Sequence, residues 1–226
     1  MPFVSADAPP NPWFSWRYVQ ENADTLLAAT LEHIVLTVSS VVGALLLALP
    51  LALLAYRVPA TRAIIMGIGG LLYTVPALAL MALLWPVFGL SKRSVVIALV
   101  LYALLIVIRN ILAGLDDVPR DVVDAARGMG FGRRRLLVYV ELPLAAPSIV
   151  AGLRVATVST IGLVTIGALL GYGGLGNLVL SGFVANEYRA QIMTATILIV
   201  VLAVIADLLL VAVQRLVTPW AKEKAR

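Results

Sequence analysis

Long apolar stretches with few polar positions dominate the chain, and five of them are long enough to cross a membrane. A helical span needs roughly 20 apolar residues to cross about 30 Å of hydrocarbon. Charged residues are rare within these stretches and lie mostly near their ends. The pattern therefore predicts an all-α, polytopic membrane protein whose five transmembrane helices cover 34–56, 63–91, 94–115, 148–170 and 192–217.

Two of the predicted spans contain helix-breaking residues. Pro76, Pro86 and the pair Gly69-Gly70 interrupt the second stretch, which is longer than one span requires. These residues favour one broken or tilted helix over two separate spans. After Leu170, a glycine-rich run should leave the helix and form a flexible turn, which we expect at the outer mouth of a pathway through the membrane.

The segment before the first span contains aromatic, charged and aliphatic residues in a helix-compatible order. Residues 1–16 carry no Lys or Arg, so the positive region of a signal peptide is missing. We expect an interfacial helix over 13–31 within an extracytoplasmic N-terminal segment, 1–32. Its headgroup-level residues are predicted to be Trp13, Phe14, Trp16 and Tyr18.

The composition supports a membrane protein and excludes several other classes. Of the 226 residues, 62% are hydrophobic and only 13% are charged, whereas a soluble domain is about a quarter charged. Cysteine is absent, which excludes disulfides, thiolate metal sites and a Cys nucleophile. The single histidine, His33, excludes a His-rich metal site, and we expect it to be an interfacial polar residue at the outer end of the first span.

The basic residues predict the orientation of the chain. The net charge is +5, and most of the 17 Lys and Arg residues fall on one side of the predicted spans. The positive-inside rule places that side in the cytoplasm, so the N-terminus is expected outside and the C-terminus inside. The transmembrane domain would cover 33–217 and a cytoplasmic basic tail 218–226. A role in nucleic-acid binding is not expected.

One cytoplasmic loop, 116–143, is too long for a simple turn between helices. Pro119 suits the first turn of a helix, and Asp121 and Asp124 favour its N-terminal end. Glycines at 128, 130 and 132 suit a helix end. The loop should therefore contain a short helix over 119–127, which on this evidence alone could be an ordinary amphipathic helix on the membrane surface.

The spacing within this loop resembles the signature of ABC-importer permeases of the MetI-like, type I fold. The signature has an acid-Ala-Ala triplet, a glycine four residues after the triplet and, ten residues further on, an aliphatic residue, any residue and then Leu-Pro. The matching residues here are Asp124, Ala125, Ala126, Gly130, Val140, Leu142 and Pro143. The one departure is Asp at 124 in place of the more usual Glu, which keeps the carboxylate.

The resemblance implies the partners and the location of the protein. In that family the loop docks into a groove of an ATP-binding subunit. The resemblance therefore implies two ATP-binding subunits, a second permease subunit (the same chain or a paralogue) and a separate extracytoplasmic substrate-binding protein, in the plasma membrane of a prokaryote. The chain lacks the Gly-x-x-x-x-Gly-Lys-Ser/Thr loop, so ATP and Mg are expected on the partner, with no cofactor and no enzymatic activity here.

Further segments resemble the osmoprotectant subgroup of these permeases, which carries glycine betaine, carnitine, choline or proline. These segments are 31–37, 73–80, 108–115 and 173–177. Two alternatives stay open. One is a permease for methionine or another amino acid, which shares the loop, and the other is an ATP-independent channel or secondary carrier, which gives no reason for the loop spacing.

Polar residues within the spans are candidates for the pathway. Asp207 lies deep in the fifth span, where a carboxylate costs roughly 2.5–3.5 kcal/mol. It could pair with Arg154, or it could reach Thr157 or Ser159 on the fourth span. Small and hydroxylated residues in the fourth span suit either close helix packing or a polar pathway. The pathway candidates are Thr157, Ser159, Thr160, Gly173, Gly174, Gly176, Asn177 and Asp207.

Overall fold

The computed structural model describes residues 11–185 and 188–218, and every regular element within them is helical. Most of the predicted basic tail, from residue 219 onward, and the first ten residues of the N-terminal segment lie outside the described residues. Four helices in the described part are long and apolar enough to span a membrane, and a bent helix pair forms a fifth if counted as one span. The predicted all-α architecture with five spans is confirmed.

The chain enters the membrane domain through two consecutive helices, α1 (Trp16–Glu21) and α2 (Ala23–Arg57). The Ser15 hydroxyl accepts a hydrogen bond from the Tyr18 backbone N–H at 3.2 Å and so caps α1. The structure differs from the expected single helix over 13–31, because the residues from Ala23 onward continue without a break into the first span. The first span therefore begins earlier than predicted, and its helix does not end near residue 32.

The second span is broken, as its prolines predicted. Helices α3 (Pro59–Thr74) and α4 (Ala77–Phe88) meet at Val75-Pro76 with a bend of 100°. Pro76 cannot continue a helix, and the break leaves a carbonyl of Val75 without an intrahelical partner. The Tyr102 hydroxyl donates a hydrogen bond to that carbonyl. The neighbouring span therefore satisfies the backbone at the break, as a break within a membrane requires.

The third span, α5 (Lys92–Asp116), forms the centre of the fold. It is the most buried of the spans and packs mainly against α2 and against the fourth span. On α2, the residues that face α5 form a stripe of alanines, which lets the two helices approach closely. This stripe consists of Ala44, Ala48, Ala52 and Ala55, each at most 1% exposed.

The fourth span is part of a helical segment that runs from Arg133 to Leu170 and is longer than predicted. It consists of α7 (Arg133–Leu136), a π turn (Leu137–Glu141), α8 (Leu142–Val164) and a 3₁₀ turn (Thr165–Leu170). The last part of the predicted cytoplasmic loop, up to residue 143, is therefore helical from Arg133 onward.

The described part of the chain ends with two helices, one before and one after residues 186–187. Helix α9 (Leu175–Val184) is short and apolar and follows the glycine-rich turn, and α10 (Arg189–Val217) is the fifth span. Helix α9 was not predicted from the sequence. It packs against α10 and against the 3₁₀ turn, and it is too short to cross the membrane.

Candidate coupling surface and polar sites in the membrane

A short helix, α6 (Arg120–Gly128), crosses the end of the helix bundle between α5 and α7. Pro119 precedes its first turn, which carries Asp121, and its last turn carries Arg127. Both charges are placed favourably for the helix dipole. The predicted helix over 119–127 is confirmed to within one residue at each end.

The C-terminal end of α6 is a Schellman motif built on Gly130. The Phe131 N–H donates to the Ala126 carbonyl at 3.1 Å, and the Gly130 N–H donates to the Arg127 carbonyl at 2.9 Å. These are the two bonds that define the motif, and they require a left-handed residue between them. Gly130 has φ +83°, with open space where a Cβ would lie. The requirement for glycine at 130 is therefore conformational and does not come from crowding.

The two faces of α6 have different surroundings. Ala126 is only 2% exposed and packs into its own chain, whereas Asp124 and Ala125 are exposed. Val122 and Met129 are 40% and 71% exposed. The burial of Ala126 shows that this residue anchors α6 to the rest of the chain and does not face a partner. The free face of α6 instead presents Ala125 and its neighbours.

Three signature residues that were predicted within the loop lie in the helical segment that leads into α8. They are Val140, Leu142 and Pro143. Pro143 lies in the first turn of α8, where a missing N–H costs little. The Leu142 N–H donates to the Leu137 carbonyl, which is the five-residue spacing of a π turn. The signature therefore reaches the fourth span through a turn at 129–132 and then through helix that is continuous from Arg133.

Glu141 is a buried carboxylate that the sequence analysis did not select. Its side chain is 4% exposed, and Oε2 lies 3.0 Å from Nη2 of Arg57 at the end of α2. The Tyr56 hydroxyl donates to Oε1 at 3.4 Å. A buried charge requires such partners. The signal in the sequence is the single acidic residue in the apolar run before Leu142, together with a basic residue at the end of the first span.

A cavity of about 450 Å³ separates α6 from the ends of α2 and α5. Its walls carry charges of both signs. The charged residues that line it are Asp116, Arg120, Asp124, Arg127 and Glu141. Among the described residues, no cluster of His, Asp and Glu side chains could hold a metal ion. This cavity is therefore a polar space beneath α6 without a metal-ligand set.

The glycine-rich turn after the fourth span is tightly packed, and the expectation of a flexible turn was wrong. Gly173, Gly174 and Gly176 are buried. A Cβ on Gly174 would lie 2.7 Å from the His33 backbone nitrogen, and one on Gly176 would lie 2.5 Å from the Thr165 Cα. The Asn177 side chain accepts a hydrogen bond from the Gly173 N–H at 3.1 Å. The glycines therefore allow close contact between backbones.

His33 is fully buried, which corrects the expectation of an interfacial side chain. Its Nε2 lies 3.0 Å from the Ile161 carbonyl oxygen, so the ring joins α2 to α8. Gly174 packs against the backbone of the same residue. His33 therefore belongs to the junction of α2, α8 and the glycine-rich turn.

The predicted contact between Asp207 and Arg154 is present. Nε and Nη2 of Arg154 lie 2.8 and 2.9 Å from Oδ1 and Oδ2 of Asp207. Thr157 instead donates to the Leu153 carbonyl of its own helix at 2.7 Å, and Thr160 is 2% exposed. Asp207 thus forms an ion pair that joins α10 to α8, and the Thr160 side chain is buried within the bundle. A role in the pathway for these residues and for Ser159 stays a prediction.

Relatives of similar length match almost the whole chain. Residues 41–222 match the family described as binding-protein-dependent transport system inner membrane component. The carnitine transport permease protein OpuCB of Listeria monocytogenes is 33% identical, over 92% of this chain and 95% of that protein. The osmoprotectant import permease protein OsmW of Salmonella typhimurium is 35% identical, over 89% of this chain and 96% of that protein.

Solved structures share the fold at lower identity. An inward-facing structure of the MetNI methionine ABC transporter aligns with a TM-score of 0.79 at 20% identity, over 91% of this chain and all of that chain. An amino acid ABC transporter aligns with a TM-score of 0.75 at 19% identity, over 89% of this chain and 98% of that chain. The resemblance to ABC-importer permeases is thereby confirmed, and the chain belongs to the binding-protein-dependent transport system inner membrane component family, as a membrane permease subunit rather than an enzyme.

Proposed function

We propose that this chain forms the translocation pathway of an ATP-driven importer for compatible solutes such as glycine betaine, carnitine, choline or proline. The relatives named for carnitine and osmoprotectant transport support this class of solute. A choline transport permease of Bacillus subtilis, 32% identical over 93% of this chain, supports it as well. The observation that carries the ATP-driven mechanism is α6, a short helix with one face anchored in the permease and the other face free.

The free face of α6 is the proposed docking surface for an ATP-binding subunit. It is exposed around Ala125, and the helix ends in a turn that only glycine at 130 adopts without strain. A small residue at 125 lets a groove approach closely. Each of two ATP-binding subunits, which bind ATP and Mg themselves, would engage one such helix. Because five spans do not enclose a pathway alone, a second permease subunit, either another copy or a paralogue, completes the transporter.

The orientation follows from the same surface. The face of the bundle that carries α6 also carries Arg57, Arg62 and the three arginines at 133–135. Because cytoplasmic loops are enriched in Lys and Arg, this face is assigned to the cytoplasm of a prokaryotic cell, with the N-terminus outside. An extracytoplasmic binding protein would deliver the solute to the opposite face.

Two substitutions test the docking surface without touching the core of the spans. Ala125→Glu places a charge on the free face of α6, and Gly130→Val forces a β-branched residue into a left-handed turn. In purified complexes in liposomes, both should lower uptake by about tenfold or more, since a 1.4 kcal/mol loss is already tenfold. Membrane insertion should be unchanged, because α6 lies outside the spans.

Matched controls make this test specific. Gly128→Ala adds a Cβ into open space at a helical position, and Arg134→Gln changes an exposed side chain. Both should leave uptake and stimulated ATP hydrolysis nearly unchanged. Wild-type coupling in both Ala125→Glu and Gly130→Val would reject α6 as the docking element.

The solute class is tested by uptake. Complexes with the cognate binding protein should import labelled glycine betaine, carnitine, choline or proline in an ATP-dependent manner. Uptake of methionine alone would favour the amino-acid alternative, and uptake without ATP would favour a channel or secondary carrier.

A further inference from the structure

The loop that carries α6 is attached to the same corner of the bundle at both of its ends. The corner is the junction of α2 and α3, around residues 57–62. At the far end of the loop, Arg57 pairs with Glu141 at 3.0 Å. At its near end, Nη1 and Nη2 of Arg62 lie 3.2 and 2.5 Å from the two carboxylate oxygens of Asp116. Arg57 and Arg62, which are close in the chain, therefore contact the two ends of the segment that contains α6.

The two attachments differ in burial. The Glu141 side chain is 4% exposed, whereas both members of the Arg62–Asp116 pair are about 40% exposed, at 44% and 40%. Exposed pairs contribute little because water screens them and side-chain entropy opposes them. A buried carboxylate without its partner is strongly unfavourable. The Arg57–Glu141 contact is therefore the dominant attachment, and the Arg62–Asp116 contact is the secondary one.

Arg57 also contacts the beginning of the helical segment that follows α6. Its Nη2 donates to the Arg133 carbonyl at 3.4 Å as well as to Glu141. Arg133 begins α7 and Glu141 ends the π turn. One guanidinium therefore contacts both the start of α7 and the end of the π turn.

The π turn explains how Glu141 reaches Arg57. Leu136 and Glu141 are both buried and lie five residues apart, while Val138 and Tyr139 between them are exposed. Residues five apart share a face in a π turn, whereas in an α-helix residues three or four apart do. The extra residue of the π turn thus directs the carboxylate inward while α7 and α8 stay continuous.

Beneath α6, contact with the bundle is incomplete. Ala126 is buried, but the cavity of about 450 Å³ separates the rest of the helix from α2 and α5. Glu141 and Asp116 both line this cavity. A displacement of α6 is therefore not transmitted by packing alone, and the two attached ends of the loop provide the remaining mechanical connection to the spans.

We infer that Arg57 and Glu141, assisted by Arg62 and Asp116, form a clamp that converts movement of α6 into movement of α2 and α3 together with α5 and α8. These four are positioning residues, since they act through α6 and contact neither solute nor ATP. The inference rests on the proposed docking of an ATP-binding subunit on α6. Under this inference, the corner of α2 and α3 is the region that keeps ATP hydrolysis coupled to transport.

The test measures solute imported per ATP hydrolysed in complexes that contain the ATP-binding subunits and the binding protein, reconstituted in liposomes. Arg57→Gln should lower this ratio by about tenfold or more in complexes that have assembled, because the buried Glu141 carboxylate loses its partner. Glu141→Gln should also lower the ratio, because the attachment of the loop to Arg57 is lost. The double variant should cost less than the sum of the two single effects. The exchange Arg57→Glu with Glu141→Arg should recover part of the ratio.

A control pair of the same residue types lies within the single helix α1. Arg17 and Glu21 of α1 form an exposed pair at 2.6 Å, with side chains 86% and 57% exposed. Changing both to Gln should leave the ratio at its wild-type value. Fewer assembled complexes with a wild-type ratio in Glu141→Gln and Arg57→Gln would overturn the clamp, because that result indicates a purely structural role.

Variants of the exposed pair keep the inference testable if the buried variants do not assemble. Arg62→Gln and Asp116→Asn should assemble normally and lower the ratio by about twofold, as expected for a partly screened pair. A wild-type ratio in both would reject the clamp. Ala125→Glu is measured in parallel: if it uncouples transport while the clamp variants do not, the clamp fails and the docking surface stands.

Discussion

Arg154 of α8 and Asp207 of α10 face each other as a fork-to-fork ion pair between two membrane spans, with contacts of 2.8 and 2.9 Å. Each side chain keeps about a third of its surface exposed within the single chain, at 32% and 35%. In lipid, such charges are tolerated because they satisfy each other. The pair thus fixes the rotation of α10 relative to α8, where apolar packing alone is weakly directional.

Asp207→Asn should lower the thermal stability of the permease and its uptake, because it leaves the Arg154 guanidinium without a counter-charge within a span. Adding Arg154→Gln should recover part of that loss. Thermal unfolding in detergent and uptake in liposomes measure both effects. If the losses of the two single variants simply add in the double variant, the pair does not contribute through its mutual interaction.

Gly174→Ala should destabilise the permease by about 2–4 kcal/mol, combining a left-handed conformation with overpacking. Gly174 has φ +54°, and a Cβ there would lie 2.7 Å from backbone of His33, which cannot move aside as a flexible side chain can. The expected result is reduced yield of folded protein, measured by size-exclusion chromatography and thermal unfolding.

Gly171→Ala is the control for the Gly174 substitution. Gly171 has φ +83° but open space around its Cβ position, so only the conformational cost of about 1–2 kcal/mol applies. Equal losses in both variants would show that the contact with His33 is unimportant.

Ala126→Glu should detach α6 from the permease and lower stability by about 2–4 kcal/mol, since it forces a charge into a buried site. Ala125→Glu, on the exposed neighbouring position, should leave stability unchanged and affect only coupling. Limited proteolysis of the loop, compared between the two variants, measures the difference. Equal cleavage rates would contradict the assignment of Ala126 to the anchored face.

The glycine at the end of α6 was predictable from the sequence because a helix end has local requirements, whereas the acid-Ala-Ala triplet was identified by its resemblance to the family signature. Gly130 must adopt a positive φ wherever the chain runs next, and Pro119 suits a first turn in any surroundings. The five spans were identifiable for a similar reason. Hydrocarbon requires about 20 apolar residues and satisfied backbone groups, whatever the neighbouring helices are.

Which face of each helix packs against its neighbours was decided by the tertiary structure. In a chain that is 62% hydrophobic, every side of a span is apolar, so the sequence pattern contains little information on which face packs. The buried position of His33, the inward face of Ala126 and the close packing of Gly174 depend on contacts between residues distant in the chain. The contacts of His33 and Gly174, for example, form only when α2, α8 and the glycine-rich turn pack together.

The sequence by itself determined the number of spans, the break at Pro76, the short helix before Gly130 and the family resemblance, because each depends on local backbone requirements or on the spacing of a few residues. Only the tertiary structure decided that Glu141 reaches Arg57 and that α7 continues into α8. Both depend on a π turn, which needs one extra residue in a helix and is stabilised by a partner from α2 that no local pattern reveals.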